Sequence, residues 1–236
     1  QTKKIMIKYE FTNNLKSFNK HNSQNKTPQI INSLKSGKSV ALVSDAGMPG
    51  ICDPGEELVQ SAISNGIKVV CIPGACAAIT ALVSSGFPSS KFSFEGFLPK
   101  KKSEREKILL DLSKSEKTTI LFESPYRVKQ LLIELKEYLG GERKIKISRE
   151  LTKKFEEHVG ENINEVIDFF DGREVLGEIT IVIKGKTKPK KNSDFNQIEL
   201  KKELQDLINA GLSLSQASSY LAKKKNLPKK VIYNIN

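Results

Sequence analysis

The sequence feature that most constrains the fold is residues 40–55, VALVSDAGMPGICDPG. Its apolar run at 40–43 is too short for a helix and is β-branched at two of four positions, so it predicts a buried strand. The Gly- and Pro-containing residues after it cannot continue a strand and predict a tight loop. Asp53 as N-cap and Pro54 as first helical residue then predict the start of a helix.

The loop after this predicted strand carries residues suited to a ligand. Asp45 can accept hydrogen bonds from ribose hydroxyls or an ammonium group, and Gly47 and Gly50 let the backbone approach a ligand closely. Open α/β sheets bind small molecules at the carboxyl ends of their strands, where this loop is expected to lie. An ordinary strand–loop–helix connection, with no ligand, is the alternative interpretation.

A second unit of the same kind follows the first. Residues 68–72 predict a buried strand, Pro73-Gly74 a turn, and the small residues at 75–78 the start of a helix. Two such units that open at one sheet edge favour a shared pocket. Cys76 is expected to be a pocket or core residue and not a nucleophile, because no histidine lies near it in the sequence.

The remaining pattern predicts the fold class. Further strands are predicted at 92–95, 118–122, 144–148 and 179–183, with helices between them. This alternation predicts an α/β fold with two α/β domains, residues 1–90 (incomplete at its start) and 91–186. Residues 187–236 predict a basic linker and a small module of helix-turn-helix outline. Helix starts are predicted from Thr27-Pro28 and from the pairs Ser103/Glu106, Asn162/Glu165 and Ser213/Gln216.

The charge of the chain is basic and unevenly placed. The chain has 39 lysines and arginines and 27 acidic residues, which gives a net charge of +12. The residues from Lys184 to the end include 12 lysines and four acidic residues, so this part supplies +8 of the net charge. Such a distribution favours polyanionic partners such as RNA. The alternative interpretation is a lysine-rich surface that only serves solubility.

Several classes of protein are disfavoured by the composition. The apolar runs are only a few residues long, so no transmembrane helix is predicted, and no signal peptide is visible. The three cysteines form no CxxC pair and there are only two histidines, so neither a disulfide scaffold nor a metal site is expected. A reducing cytoplasmic location fits this cysteine usage.

Charged residues cluster just after the predicted strands of the second half: Glu123 and Arg127 after one, Arg149 and Glu150 after another. Such charges usually form ordinary surface salt bridges. Four of them at strand ends that face a crevice favour a functional site.

Six motifs, in order and spacing, carry a family resemblance: SDAGMPGICDPG, IPGACAAITAL, FEGFLPKK, FESPYR, SREL and GEITIVIKG. They resemble the ribosomal RNA small subunit methyltransferase I family of the tetrapyrrole methylase superfamily. The resemblance covers residues 40–185 densely, and residues 198–236 are similar to the family's small C-terminal helical domain. Family members begin with an extra strand and a Gly-rich loop, a segment that would end about where Gln1 begins and that this chain lacks.

This resemblance implies S-adenosylmethionine bound in a cleft between the two α/β domains. It also implies methyl transfer to a ribose 2′-hydroxyl of a cytidine in small-subunit (16S) ribosomal RNA, by a homodimer that acts on this RNA or on the small ribosomal subunit. By similarity, the candidate cofactor-binding residues are Asp45, Gly47, Met48, Cys76, Ala77, Glu123 and Leu151.

A ribose hydroxyl is a poor nucleophile near neutral pH, so a general base or hydrogen-bond acceptor is expected. The candidate catalytic residues are Glu123, Glu150 and Arg149, and the alternative is that both carboxylates are structural and paired with Arg127 or Arg149. The candidate RNA-binding residues are Lys100, Lys101, Lys102, Arg105, Arg127, Lys153 and Lys154, and their phosphate contacts predict a steep salt dependence.

Two other functions remain open from the sequence. One is a basic RNA-binding module without catalysis. The other is a methylase of a tetrapyrrole precursor, with the same fold and cofactor; the basic tail and the FLPKKK run argue against it, because a small anionic macrocycle would not need them.

Overall fold

The computed structural model describes residues 2–187, 197–225 and 227–235. The chain divides into two compact units, Gln1–Lys186 and Thr187–Asn236. The boundary predicted near residue 90, which would divide the first unit, stays a prediction.

In the first unit the helices are α1 (Thr2–Lys8), α2 (Ser23–Lys35), α3 (Glu56–Ser64), α4 (Ala77–Ser85), α5 (Lys102–Lys114), α6 (Val128–Leu139) and α7 (Ile163–Phe170). Its strands are β1 (Phe92–Phe97), β2 (Thr118–Glu123), β3 (Ile145–Arg149), β4 (Glu157–Val159) and β5 (Ile179–Ile183). The second unit contains α8 (Gln197–Asn209), α9 (Leu214–Lys225) and α10 (Lys229–Tyr233). The four strands predicted after residue 90 are confirmed, and β4 is an addition.

The five strands form one mixed sheet in the order β1-β2-β5-β3-β4. β1 is parallel to β2, whereas β5 runs antiparallel to both β2 and β3. In this register Glu123 and Arg149 both pair with Ile179, from opposite sides of β5. The carboxyl ends of β2 and β3 therefore lie at the same edge of the sheet, as the sequence predicts.

Side chains alternate between the two faces of the sheet. On one face Leu121, Ile147 and Ile181 pack in the main core with α5, α6 and α7. On the other face Ile120 and Val182 pack against α4. Because both faces are covered, β5 is buried along its whole length.

The two strands predicted in the first half are wrong. Residues 40–43 and 68–72 lie in extended or irregular backbone, and among residues 2–90, all of which the structure describes, no strand forms. The apolar side chains there remain open to solvent, with Val40 48%, Val70 64% and Ile72 75% exposed. A strand is stabilised by hydrogen bonds to a neighbouring strand, and no described segment pairs with either run.

Three predicted helix starts are also wrong. α2 begins at Ser23, ahead of Thr27-Pro28, after a turn in which the Asn19 side chain accepts from the backbone N–H of Asn22. α3 begins after Gly55, whose φ of 156° turns the chain so that Asp53 does not reach the N-cap position. α5 begins after Lys101, which makes no side-chain cap, and so it starts before Ser103.

Two predicted capping boxes are confirmed. The Asn162 side chain accepts from the Glu165 backbone N–H at 3.0 Å and donates to its carboxylate at 2.9 Å. In the second unit, the Ser213 hydroxyl accepts from the Gln216 backbone N–H at 3.3 Å, and the Gln216 side-chain oxygen accepts from the Ser213 backbone N–H at 3.1 Å. Each box satisfies backbone donors that a helix start would otherwise leave without partners.

The second unit has its own small core. Leu200 and Leu204 of α8 pack against Leu221 of α9 and Ile232 of α10, all of them buried. This confirms the three helices predicted for the tail. Residues 188–196 of the predicted basic linker lie outside the described residues. No helix in the part of the chain that the structure describes is long and apolar enough to cross a membrane.

Candidate cofactor and substrate site

The two turns predicted to share a pocket are in direct contact. The backbone N–H of Met48, in the first turn, donates to the carbonyl of Ala75, in the second, at 2.9 Å. Gly47 has a φ of +72°, and a Cβ at this position would lie 3.1 Å from the same carbonyl oxygen. Glycine is therefore favoured there both by its backbone conformation and by the close approach of the second turn.

The other side chains of these turns surround that contact. The carboxylate of Asp45 is exposed and accepts a hydrogen bond from the Thr2 hydroxyl of α1 at 3.4 Å. Ala77, the first residue of α4, is exposed, and Cys76 before it is half-buried. The turns thus present a carboxylate and small residues to one open surface.

The first turn also reaches the edge of the sheet. A Cβ at Gly96, near the end of β1, would lie 2.9 Å from the sulfur of Cys52. Burial raises the pKa of the Cys52 thiol, and a hydrogen bond with the Phe97 backbone partly offsets this increase. These contacts place Cys52 next to the carboxyl end of β1.

Leu151 connects the second half to the same surface. It packs, together with Cys76, on the cluster that Ala81 and Leu82 of α4 form with the sheet. The structure therefore brings Cys76 and Leu151, which are far apart in sequence, into one apolar cluster.

Glu123, at the end of β2, is buried and bonded through both oxygens. Oε1 accepts from Arg127 Nε at 2.8 Å and from the Ser124 backbone N–H at 2.7 Å, and Oε2 accepts from Arg127 Nη2 at 2.9 Å. Arg127 also donates to the carbonyl of Leu98 at 3.2 Å. The carboxylate raises the pKa of Arg127. This geometry favours the structural alternative for Glu123.

Glu150 follows β3 with a φ of +52°. Its Oε1 accepts from Lys153 Nζ at 2.8 Å and from the Glu178 backbone N–H at 2.9 Å. These two hydrogen bonds lower the pKa of Glu150 below its ordinary value. The carboxylate is thus held ionised, which makes it a weak proton acceptor at neutral pH and a good hydrogen-bond acceptor.

Arg149 is half-buried in a cross-strand ion pair. Its Nε donates to the Glu157 carboxylate on β4 at 3.0 Å, and its Nη1 donates to the carbonyl of Leu176 at 3.1 Å. These two contacts link β4 to the segment that leads into β5. Arg149 therefore lies within the predicted site, but its guanidinium already donates to Glu157 and Leu176.

The candidate RNA-binding residues fall into two groups. Arg105 and Arg127 are partly buried and paired with Glu134 and Glu123. The lysines are exposed: Lys100, Lys101 and Lys102 before and at the start of α5, and Lys153 and Lys154 after β3. Lys101 forms an ion pair with Glu104 at 3.0 Å. Lys153 forms ion pairs with Glu150 and Glu178. The ammonium of Lys154 lies 5.5 Å from the centre of the Phe155 ring.

Two further residues at this edge were not singled out from the sequence. Phe155 is 64% exposed, and the Arg173 guanidinium stacks on the Phe169 ring at 4.0 Å. The run Lys153-Lys154-Phe155 interleaves basic and aromatic residues, a pattern typical of nucleic-acid binding that points to Phe155. No local pattern marks Arg173, because the fold alone brings it there.

The chain is similar in sequence to known proteins. Residues 3–167 match the Tetrapyrrole (Corrin/Porphyrin) Methylases family. The "Ribosomal RNA small subunit methyltransferase I" of Synechocystis sp. is 39% identical over 235 residues, covering 100% of this chain and 84% of the relative. The protein of that name from Bacillus subtilis is 39% identical over 237 residues, covering 99% and 81%. The chain belongs to the ribosomal RNA small subunit methyltransferase I family of tetrapyrrole methylases.

Solved structures agree with the tetrapyrrole methylase fold. The methyltransferase CobJ has a TM-score of 0.52 at 17% identity, covering 70% of this chain and 74% of CobJ. A diphthine synthase has a TM-score of 0.54 at 14% identity, covering 75% and 72%. At these identities the likeness concerns the fold. Family membership confirms the predicted enzyme class, an S-adenosylmethionine-dependent methyltransferase.

The joined turns fit that cofactor. The Asp45 carboxylate is an acceptor for hydroxyl groups, and Gly47 lets the backbone come close. The Met48–Ala75 hydrogen bond fixes the two turns relative to each other, and the small residues of the α4 start leave room beside them.

Proposed function

We propose that this chain transfers the methyl group of S-adenosylmethionine to the ribose 2′-hydroxyl of a cytidine in small-subunit (16S) ribosomal RNA. The names of relatives that match nearly the whole chain support the substrate. The single structural observation that carries the proposal is the hydrogen bond from Met48 to Ala75, because it builds one cofactor surface from two turns.

The residues proposed to contact the cofactor are Asp45, Gly47, Met48, Cys76, Ala77 and Leu151, and Glu123, predicted together with them, is proposed to position the site. The cofactor, when bound, supplies an electrophilic methyl group on a sulfonium. The chain's task is then to hold the ribose oxygen in line with that group, which can contribute about 7–11 kcal/mol to lowering the barrier. Glu123 acts in this scheme through Arg127 and Leu98, by fixing the end of β2 beside the turns.

For the hydroxyl proton, Glu150 is the better placed of the two candidate carboxylates. Both oxygens of Glu123 are bonded to Arg127, whereas Glu150 binds Lys153 and the Glu178 N–H through Oε1 alone. We propose that Oε2 of Glu150 accepts a hydrogen bond from the ribose hydroxyl. Its low pKa makes it an orienting acceptor that increases the electron density on the oxygen.

RNA binding is proposed for the residues predicted from the sequence, with different roles. The exposed lysines at 100–102 and 153–154 would contact phosphates. Arg105 donates to the carbonyls of Pro99 and Lys100, each at 3.4 Å, so it would hold the lysine loop in position. Arg127 likewise acts through Leu98. A cytoplasmic homodimer that acts on free RNA or on the small ribosomal subunit completes the proposal.

The test is transfer of labelled methyl from S-adenosylmethionine to small ribosomal subunits that lack the modification. We expect label in the RNA, in a dinucleotide that resists alkaline cleavage because its 2′-oxygen is methylated. Asp45→Asn should reduce transfer at low cofactor concentration, and Asp111→Asn, an exposed aspartate on α5, is the matched control that should leave it unchanged.

Two results would contradict the proposal. Label in a porphyrin precursor and none in the subunits would make the chain a methylase of a tetrapyrrole. RNA binding without any heat of S-adenosylmethionine binding in calorimetry would leave a basic RNA-binding module, which the net charge of +12 would still explain.

A further inference from the structure

A cavity of about 380 Å³, here named the Phe155 pocket, opens at the edge of the sheet that carries the proposed site. It lies between the residues after β3, the end of α7 and the segment that leads into β5, and its lining includes Arg149, Glu150, Phe155, Phe169, Arg173 and Leu176. Its volume falls in the range of small-molecule sites. None of the phosphate-contacting lysines proposed above lines it.

The aromatic part of the pocket is open to solvent. Phe155 is 64% exposed, so its ring is accessible to a ligand. Arg173 also lines the pocket, and its guanidinium carbon lies 4.0 Å from the centre of the Phe169 ring. The pocket therefore offers two planar groups, a phenyl ring and a guanidinium, which are the groups that stack on nucleobases.

The charges of the pocket are arranged to leave Arg173 available. Glu157 is paired with Arg149, and Glu150 with Lys153. Arg105, Arg127, Arg143 and Arg149 each donate to a carboxylate or a backbone carbonyl. Among the described residues, Arg173 alone of the arginines has neither partner, and Glu174, next to it in the sequence, also lines the pocket.

The pocket adjoins the proposed site of methyl transfer, because Glu150, the proposed acceptor for the ribose hydroxyl, is one of its lining residues. Arg149 and Glu123 both pair with Ile179, from the two sides of β5. Neighbouring strands are about 4.8 Å apart, which places these residues about 10 Å from each other. A nucleotide adjacent to the reacting ribose can span such a distance, since an extended chain of nucleotides advances by several ångströms per residue.

We infer that the Phe155 pocket binds one unstacked base of the substrate RNA, stacked between Phe155 and the Arg173 guanidinium, next to the nucleotide that is methylated. This inference rests on the proposed function for the identity of the RNA. Lys154, beside the Phe155 ring, then contacts the phosphate of the bound nucleotide. The pocket selects single-stranded or splayed RNA, because a base within a duplex cannot enter it.

The test measures binding of a fluorescent oligocytidine heptamer to the full chain by anisotropy at fixed salt. A stacked base is worth about 5- to 150-fold in affinity, so Phe155→Ala should weaken binding by a factor in this range. Arg173→Ala should weaken it as well, and Phe155→Tyr should retain most of it. The matched control is Phe92→Ala, an exposed phenylalanine at the start of β1, which should change affinity less than about twofold.

A second ligand separates stacking from general electrostatics. With a heptamer of the same backbone that lacks its bases, wild type and Phe155→Ala should bind equally, because no base remains to stack. Equal loss of affinity for both heptamers would overturn the inference, and so would a Phe155→Ala variant that binds oligocytidine like wild type. Melting temperatures check that each variant is folded.

The methyl-transfer assay distinguishes failure of this inference from failure of the proposed function. On small subunits, Phe155→Ala should raise KM several-fold. Transfer to subunits with a KM unchanged in Phe155→Ala would refute the pocket and keep the function. Base-dependent binding of the heptamer through Phe155, without transfer to any ribosomal RNA, would keep the pocket and refute the function.

Discussion

Residues 2–90 and residues 92–186 carry the same kind of sequence signal and yet differ in structure. Both contain short apolar runs rich in β-branched residues. In the second region the runs become β2 and β5, where Ile120 and Ile181 are 0% exposed. In the first region the runs at 40–43 and 68–72 form no strand, and Val70 and Ile72 are 64% and 75% exposed.

The difference shows what an apolar run does and does not determine. β-propensity measures how well a side chain fits a pleated, half-buried surface, and the strand itself exists only when a neighbour completes its hydrogen bonds. β5 has β2 on one side and β3 on the other. The runs of the first region have no such neighbour among the described residues, although the turns that follow them, at Met48 and Ala75, are joined as expected.

The largest expected effect contrasts one apolar residue from each region, buried in the second and exposed in the first. Ile181→Ala should reduce the free energy of unfolding by about 2–5 kcal/mol, because it leaves a cavity in a fully covered strand. Val70→Ala should change it by less than about 0.5 kcal/mol, because the side chain is exposed. Urea denaturation of both variants measures the contrast. A large loss in Val70→Ala would show that the first region is packed more tightly than described.

The second effect concerns the ion pair at the end of β2. Glu123→Gln should destabilise the fold by about 3 kcal/mol, because it leaves the charge of Arg127 without its partner. This value lies at the low end of the range for breaking a buried ion pair, because the Arg127 side chain is 29% exposed. The control is Glu104→Gln, whose pair with Lys101 is exposed and should contribute less than about 1 kcal/mol. If Glu123→Gln abolished methyl transfer without loss of stability, Glu123 would be catalytic.

The third effect tests the contact between the turns of the first region. Gly47→Ala should lower stability by about 1 kcal/mol for its φ of +72°, and should in addition weaken binding of S-adenosylmethionine, because the new Cβ lies 3.1 Å from the Ala75 carbonyl. Gly37→Ala is matched in φ, at +85°, and has nothing within 4 Å of the new Cβ. Calorimetry should show the cofactor affinity reduced only in Gly47→Ala; equal affinities would mean that the joined turns do not form the cofactor surface.

The smallest effect is on the titration of Glu150. The pKa of this carboxyl is lowered chiefly by the hydrogen bond from Lys153, so Lys153→Met should raise it, as seen by NMR titration of the carboxyl carbon. Because the folded pKa lies below the unfolded value of about 4.3, the stabilisation is present above that pH and is lost as the pH falls through the folded pKa. The acid loss of stability should therefore be smaller in Lys153→Met than in wild type. An unchanged pKa would assign the shift to the Glu178 N–H alone.

The sequence predicts most strands of the second region, and in the first region it predicts the helices α2, α3 and α4 but wrongly predicts two strands. Residues 179–183 were predicted as a strand with the bounds that β5 has, because a continuous apolar run in a parallel or mixed sheet is buried on both faces. β4 was missed because Glu157, His158 and Val159 form no apolar run. Its place at the edge of the sheet follows from pairing with β3, which only the folded chain provides.

The candidate site divides in the same way. The pair of Glu123 and Arg127 lies four residues apart and is local, so the sequence could anticipate it. The partner of Arg149, by contrast, was expected nearby and is Glu157 on the unpredicted β4. Phe155 and Arg173 line one cavity only because the fold brings the end of α7 to the segment after β3. Contacts across elements are the part that pattern alone does not determine.

The position of β5 has a consequence for synthesis of the chain. The strand that emerges last from the ribosome is the one that lies between β2 and β3. Until residue 183 has been made, the nascent chain can form one ribbon from β1 and β2 and another from β3 and β4, but it cannot join them. Each of the two ribbons exposes an unpaired edge during this interval. The length of the interval is set by the translation rate, which is about 5–20 residues per second. Translation pauses upstream of β5 would prolong the time in which these edges can pair wrongly with other chains.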